Sequence, residues 1–273
     1  MKLMSWNCRG LGNQHAVDVL SHLVRVKGPK ILFLVETKRS LEEMKWIQND
    51  LPYRCMLVVP SVRCSGGLAL LWMEEIDLHI QTFTLNHTDA LIMDDPANPW
   101  RLTGFYGWPK EQRKQESWQL LKHLHSRHFV PWLYFGDFNE ILQSEEKQGG
   151  LPKWLAPMLN FREALLYYGL VDLGYQGNIF TWTNGRDDLV QERLDRACAT
   201  IEWRDKFAQV QVTHLEASYS DHNPILVTTH IRPHPTLRKK IPHKVEKRWA
   251  THPDCKISYR WLGTQLYQME AQW

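Results

Sequence analysis

The chain lacks most of the short signatures that announce an enzyme class. No Gly-x-Ser-x-Gly occurs, so a serine nucleophile on a sharp elbow is excluded. No Gly-x-x-x-x-Gly-Lys phosphate loop is present, which sets aside nucleotide-triphosphate motors. Cysteines are few and scattered: Cys8, Cys55, Cys64, Cys198 and Cys255, odd in number and without a Cys-x-x-Cys pair. Neither a zinc site nor a disulfide framework is indicated, and a reducing compartment fits. No apolar stretch approaches the length of a membrane span. The N-terminus enters strand-like sequence at once, with no signal-peptide core. An intracellular chain with no membrane partner is therefore expected. An excess of one charge is also missing: 33 Lys and Arg stand against 30 Asp and Glu, a net +3. Whole-chain charge thus says little about a nucleic-acid partner.

What is present is length, apolar content and a particular placing of polar residues. With 273 residues, 43% of them hydrophobic, the chain can form one large domain or two small ones. The one composition shift follows Ile231. Pro233, Pro235 and Pro242 interleave there with Arg232, Arg238, Lys239, Lys240, Lys244, Lys247 and Arg248, against the single acid Glu246. This divides the chain into a body, residues 1–231, and a basic connector with a short helical tail, residues 232–273. The connector reads as a solvated linker rather than a dedicated DNA arm.

Within the body, short apolar runs punctuated by Pro, Gly, Asn and Asp read as strands. They are Leu3–Trp6, Ile31–Val35, Met56–Val59, Leu68–Trp72, Ile76–Phe83, Ala90–Met93, Arg101–Tyr106 and Pro131–Phe135. Helical spacing joins Ala16, Val19, Leu20, Leu23 and Val24, then Trp118, Leu121 and Leu124, then Met158, Phe161 and Leu165. Strands come both in consecutive groups and alternating with helices. That mixture predicts an α+β sandwich of two sheets flanked by helices, not a strictly alternating parallel sheet.

Two segments carry acid/base chemistry. Gly136-Asp137-Phe138-Asn139 follows an apolar strand, and Ser220-Asp221-His222-Asn223-Pro224 precedes Ile225-Leu226-Val227. Single polar groups also end or interrupt strands: Asn7, Glu36, Tyr106 and Asp195. Any one alone is an ordinary surface residue. A two-layer sandwich brings strand ends from both sheets around one cleft, so the group is expected to converge. Glu36 with further carboxylates and an Asn amide is an all-oxygen environment, which favours Mg²⁺, with Mn²⁺ as substitute, over zinc. Asp137 is placed to take a proton from water, with Asn139 fixing its direction. His222, held by Asp195, is placed to donate to a phosphoryl oxygen, and Tyr106 supplies a further phosphate donor.

These residues resemble the endonuclease/exonuclease/phosphatase superfamily, and within it the endonuclease domain of plant LINE-type (non-LTR) retrotransposon polyproteins. The carrying segments are Ser5-Trp6-Asn7-Cys8-Arg9-Gly10-Leu11-Gly12, Leu34-Val35-Glu36-Thr37-Lys38 and Ser65-Gly66-Gly67-Leu68-Ala69-Leu70-Leu71-Trp72. Gly104-Phe105-Tyr106-Gly107, Gly136-Asp137-Phe138-Asn139-Glu140-Ile141 and Phe180-Thr181-Trp182-Thr183-Asn184 follow in order, then Arg193-Leu194-Asp195-Arg196 and Ser220-Asp221-His222. The resemblance implies a four-layer, DNase I-like sandwich over residues 1–231. It implies Glu36, Asn7 and Asp221 on the metal side, Asp137 and Asn139 as the water-activating pair, His222 as the catalytic histidine with Asp195 as its support, and Tyr106 as a phosphate ligand. Some apurinic endonucleases carry a further acid where this chain has Arg9. Metal binding is therefore expected to lean on Glu36, and abasic-site specialisation is not implied.

The leading expectation is a Mg²⁺-dependent endonuclease that nicks DNA and leaves a 3′-hydroxyl, nuclear if it acts on genomic DNA. Two alternatives stay open: a phosphomonoesterase of the same fold acting on an inositol phosphate or lipid headgroup, and a catalytically silent retroelement remnant. Lys247-Arg248-Trp249, His252-Pro253-Asp254-Cys255 and Trp261 resemble the connector to reverse transcriptase. That polymerase is absent from these residues, so a truncated or domesticated element, or one fragment of a larger gene, is expected.

Overall fold

The computed structural model describes residues 1–62, 66–125 and 130–229. The connector and the boundary expected after Ile231 lie outside the described residues. The chain opens with β1 (Lys2–Asn7), α1 (Gln14–Lys27), β2 (Ile31–Val35), α2 (Leu41–Asn49), β3 (Cys55–Val59) and β4 (Leu68–Trp72). A meander follows: β5 (Leu78–Thr84), β6 (His87–Ile92) and β7 (Trp100–Tyr106). Helix α3 (Lys114–His125) leads to β8 (Trp132–Asp137). Then come β9 (Lys147–Gln148), α4 (Leu155–Tyr167), β10 (Val171–Asp172), β11 (Trp182–Thr183) and β12 (Gln191–Glu192). The described chain closes with β13 (Asp195–Ala199), α5 (Ile201–Lys206), β14 (Gln211–His214) and β15 (Ile225–Thr228).

Two six-stranded sheets result, in the orders β14-β15-β1-β2-β4-β3 and β10-β13-β8-β7-β6-β5, with a small sheet β11-β12-β9. Each large sheet is mixed: β1 and β2 pair in parallel in one, β7 and β8 in the other, and the remaining pairs are antiparallel. Strand alternation sorts the apolar residues into layers. Leu3, Ile31, Phe33, Val35 and Leu70 face Leu102, Leu133, Phe135, Ala197 and Ala199 between the sheets. The opposite series, Met4, Trp6, Leu32, Leu34 and Leu71, is covered by Ala16, Leu20 and Val24 of α1 and Met44 and Ile47 of α2. On the far side Phe105, Trp132, Tyr134 and Cys198 lie under Trp118 and Leu121 of α3 and Phe161 and Leu165 of α4. This is the helix–sheet–sheet–helix sandwich expected from the sequence.

Two local differences have clear causes. The strand expected over Ile76–Phe83 begins at Leu78, because Ile76 closes a turn onto the Met73 carbonyl. The strand expected over Ala90–Met93 begins at His87. Its first half is polar and still buried, since Asp89 accepts from Arg101 Nε and Nη2 at 2.8 and 2.9 Å and from Thr103 Oγ1 at 2.6 Å. Both partners of that ion pair are fully buried, so breaking it would leave an uncompensated charge in the core. Among the described residues no helix is long and apolar enough to cross a membrane.

Candidate active site

Polar residues end the inward-facing series of several strands, and they meet at one end of the sandwich. Tyr106, Asp137 and Asp195 form a row across β7, β8 and β13, register partners in turn. All three continue inner-face series that are apolar elsewhere. Gly136 allows the close approach behind this row: it takes φ +140°, and a Cβ there would lie 2.1 Å from the Phe105 carbonyl oxygen. From the other sheet Asn7 ends β1, and its amide donates to Asp137 Oδ2 at 2.9 Å across the gap. Glu36 follows β2 and accepts from the Tyr106 hydroxyl at 2.7 Å. Asp221 and His222 lie in the loop ahead of β15 rather than at its first residue. Trp6 Nε1–H donates to the His222 carbonyl at 3.0 Å and ties that loop to the first sheet.

Backbone strain gathers at the same place. Among the described residues the non-glycine positions with positive φ are Arg9, Glu36, Lys38 and Asn139, at +52°, +52°, +52° and +54°. A side chain in that region costs about 1–2 kcal/mol. Each is held by the site itself. Arg9 N–H donates to Asn7 Oδ1, Lys38 Nζ donates to the Arg9 carbonyl, and Asn139 N–H donates to Asp137 Oδ1 at 2.8 Å.

The central array is Asp195–His222–Asp137. His222 Nδ1–H donates to Asp195 Oδ2 at 2.8 Å, and its Nε2 faces Asp137 Oδ2 at 3.8 Å. Burial opposes a charged imidazole, but Asp195 and Asp137 outweigh it and raise His222 to about 9. Burial pushes Asp137 up to about 6, against the pull of His222 and Asn7 and with the push of Asp195. The two groups support each other's charge, the carboxylate favouring the imidazolium and the imidazolium the carboxylate. Burial also acts on Glu36, yet the Tyr106 hydroxyl, Arg9 and Lys38 hold its carboxyl below the usual range.

Arg193 and Arg196 flank Asp195 and anchor it from outside. Arg193 binds Glu146 and Asp172 at 2.7 and 2.8 Å, and Arg196, fully buried, binds the same two acids. Because Arg196 is the next residue of β13 and turns to the outer face, alternation leaves Asp195 turned inward. The Thr181 hydroxyl accepts from the N–H groups of Leu194 and Asp195, fixing the start of β13.

Every residue expected at the site lies in this cluster or at its edge. Asn7, expected on the metal side with Glu36 and Asp221, donates its amide N–H to Asp137, and its Oδ1 accepts from Arg9 N–H. Sequence reasoning gave no role to Thr181, to Trp182, whose Nε1–H donates to Asp221 Oδ2 at 3.0 Å, or to Ser220, whose hydroxyl donates to the Asn7 carbonyl at 2.8 Å. Its only signal was that these residues lie within the quoted segments. Arg9, read as a departure, sits at the centre of the other half: it binds Glu36 at 2.9 Å and Asp221 at 3.0 Å.

Two groupings offer metal donors. Asp137, Asp195 and His222 bring ligand-type atoms within 4.8 Å of one another. They are, however, already joined by proton-bearing contacts, and a cation there would compete with the imidazolium. Glu36 and Asp221 are oxygen donors, and a guanidinium already stands between them as a cation. That donor set fits a hard divalent ion.

The family model described as the Endonuclease/Exonuclease/phosphatase family matches residues 4–222. The chain belongs to this family. Among solved structures the fold is similar to the endonuclease domain of TRAS1, a telomere-specific non-LTR retrotransposon, at 17% identity and TM-score 0.63, covering 85% of this chain and 99% of that one. It is similar to the AP endonuclease LMAP from Leishmania major at 16% identity and TM-score 0.70, covering 84% and 87%. It is also similar to the 3′-5′ exonuclease NExo from Neisseria meningitidis at 18% identity and TM-score 0.63, covering 84% and 99%. No curated protein matches in sequence. At such identities the likeness carries the fold, and the family carries the hydrolase class.

Proposed function

We propose that this member of the endonuclease/exonuclease/phosphatase family is a divalent-metal-dependent endonuclease that nicks DNA. The observation that carries the reading is one buried array: His222 bonds Asp195 through Nδ1 and turns Nε2 toward Asp137, and Asn7 and Asn139 donate to that same aspartate. A carboxylate to take a proton from water and a histidine to donate toward the phosphate are what hydrolysis of an unactivated diester needs. In this reading Asp137 takes the proton of the attacking water, whose direction Asn139 fixes. The new P–O bond forms as the P–O3′ bond breaks, leaving a 5′-phosphate and a 3′-oxygen that is protonated by solvent. His222 donates to a phosphoryl oxygen as charge builds there, with Asp195 holding its tautomer and orientation. Tyr106 exchanges its bond to Glu36 for one to the phosphate. Glu36 and Asp221 would hold Mg²⁺, with Asn7 between them and the base; the bound ion supplies Lewis-acid polarisation of the phosphate.

DNA is favoured as substrate by Lys38, which lies 3.6 Å from Glu36, and by Lys110 and Arg113, which line the cavity beside Tyr106, although Arg113 is paired with Glu116. A cavity of about 290 Å³ opens beside Tyr106, lined by Leu85, Asn86, Trp108 and Pro109 among others. The test is supercoiled plasmid incubated with purified protein. Nicked circles are expected with Mg²⁺ or Mn²⁺ and not in excess chelator. Nicking that persists in chelator contradicts the metal assignment, and release of phosphate from monoesters without nicking contradicts the substrate.

A further inference from the structure

Arg9 joins two carboxylates that come from opposite ends of the chain. Its Nη1 donates to Glu36 Oε1 and Oε2 at 2.9 and 3.2 Å, and its Nε lies 3.0 Å from Asp221 Oδ1. Two other described arginines that bind buried acids differ from it in one respect. Arg101 and Arg196 are sealed in the core with their acids, whereas the Arg9 side chain is 45% exposed. A buried arginine cannot leave its acids without stranding them, but Arg9 has an open path to water. Lys38 Nζ also lies 3.6 Å from Glu36 Oε2, but it is Arg9 that spans Glu36 and Asp221 together, so a cation bound by both acids must compete with Arg9 first. The backbone is set to hold this position, at φ +52° with both its N–H and its carbonyl bonded by site residues.

Resting on the reading that Glu36 and Asp221 hold the metal, we propose that Arg9 is a built-in competitor for that cation, occupying the carboxylate pair until a divalent ion displaces it. Metal affinity is then set partly by what Arg9 gives up. Without the metal, the guanidinium keeps the two acids from repelling each other. With the metal, it is released toward solvent at the rim of the site.

The test is Mn²⁺ binding by titration calorimetry, with no substrate present. Arg9→Gln keeps much of the side chain but not the charge, and should bind Mn²⁺ at least about fivefold tighter than the parent, the lower end of ordinary coupling between two binding events. Arg9→Lys keeps the charge and should stay nearer the parent. Equal or weaker binding by a folded Arg9→Gln overturns the proposal. Glu36→Gln added to Arg9→Gln separates the two ideas. Loss of the gain supports both, whereas a gain that survives means the ion sits elsewhere and overturns the site reading together with the proposal. If Arg9→Gln does not fold, the parent carries the test: the Nε–H resonance of Arg9 should move to the position of a free arginine on Mg²⁺ addition, and an unmoved resonance at saturating Mg²⁺ overturns it.

Discussion

Asp137 and Asp195 stand directly opposite each other on neighbouring antiparallel strands, and the imidazole of His222 bridges their carboxylates. Like charges facing across a ladder repel, and burial sharpens the repulsion. The protonated histidine resolves the conflict, which makes the protonation of His222 both a structural and a chemical requirement.

Asp195→Asn should therefore act through pH. His222 is raised from its ordinary value of 6.5 to about 9, so its ion pairing stabilises the fold fully below the ordinary value and is lost as pH rises through about 9. The variant should lose more melting temperature at about pH 6 than at about pH 10. Its activity should also fall at a lower pH than that of the parent. Equal thermal losses at both pH values and an unmoved alkaline limb would contradict the role of Asp195.

Glu36→Gln should shift the Mg²⁺ concentration for half-maximal cleavage upward. Groups that only support a ligand are typically worth about 10–100-fold in metal affinity, so loss of a ligand charge should cost no less than about tenfold. Titration of cleavage rate against Mg²⁺ checks this. Saturation at the parental concentration would remove Glu36 from the metal site.

The inter-sheet core makes a separate prediction about stability. Gly104 lies under the Phe33 ring, and a Cβ added there would meet Phe33 Cδ2 at 2.6 Å. Phe33 is fully buried and already packs against Phe135. Gly104→Ala should thus destabilise by about 1–3 kcal/mol, the usual cost of overpacking. Urea unfolding measures it, and an unchanged midpoint would mean the sheets separate more easily than their packing implies.

The sandwich was largely legible in the sequence because its strands are apolar on both faces. Ile31–Val35 and Leu68–Trp72 form β2 and β4 with the bounds expected, since inner and outer layers both demand apolar side chains there. The start of β6 was hidden because Thr88 and Asp89 are polar, and the burial of Asp89 depends on Arg101 and Thr103 of the next strand. At the site, strand-end polarity marked the catalytic candidates. It also pointed to His222 with Asp195 and Asp137 with Asn139, which are bonded in the fold, but not to Arg9 with Asp221 or Thr181 with Asp195, contacts between residues far apart in the chain. Arg9 was the sharpest case: as a sequence feature it was a missing acid, and in the fold it is the cation between two acids.

The most direct measurement of the account is the rate of plasmid nicking by the parent, Asp137→Ala and His222→Ala under saturating Mg²⁺. Both residues are buried and His222 is the cation between Asp137 and Asp195, so His222→Ala should melt below the parent, and all rates are compared at a temperature where each variant is folded. Removal of a general base or acid typically costs about 10²–10⁴-fold in rate, and each variant should fall in that range. Losses below about tenfold in well-folded variants would mean that the Asp137–His222 pair is not the catalytic centre.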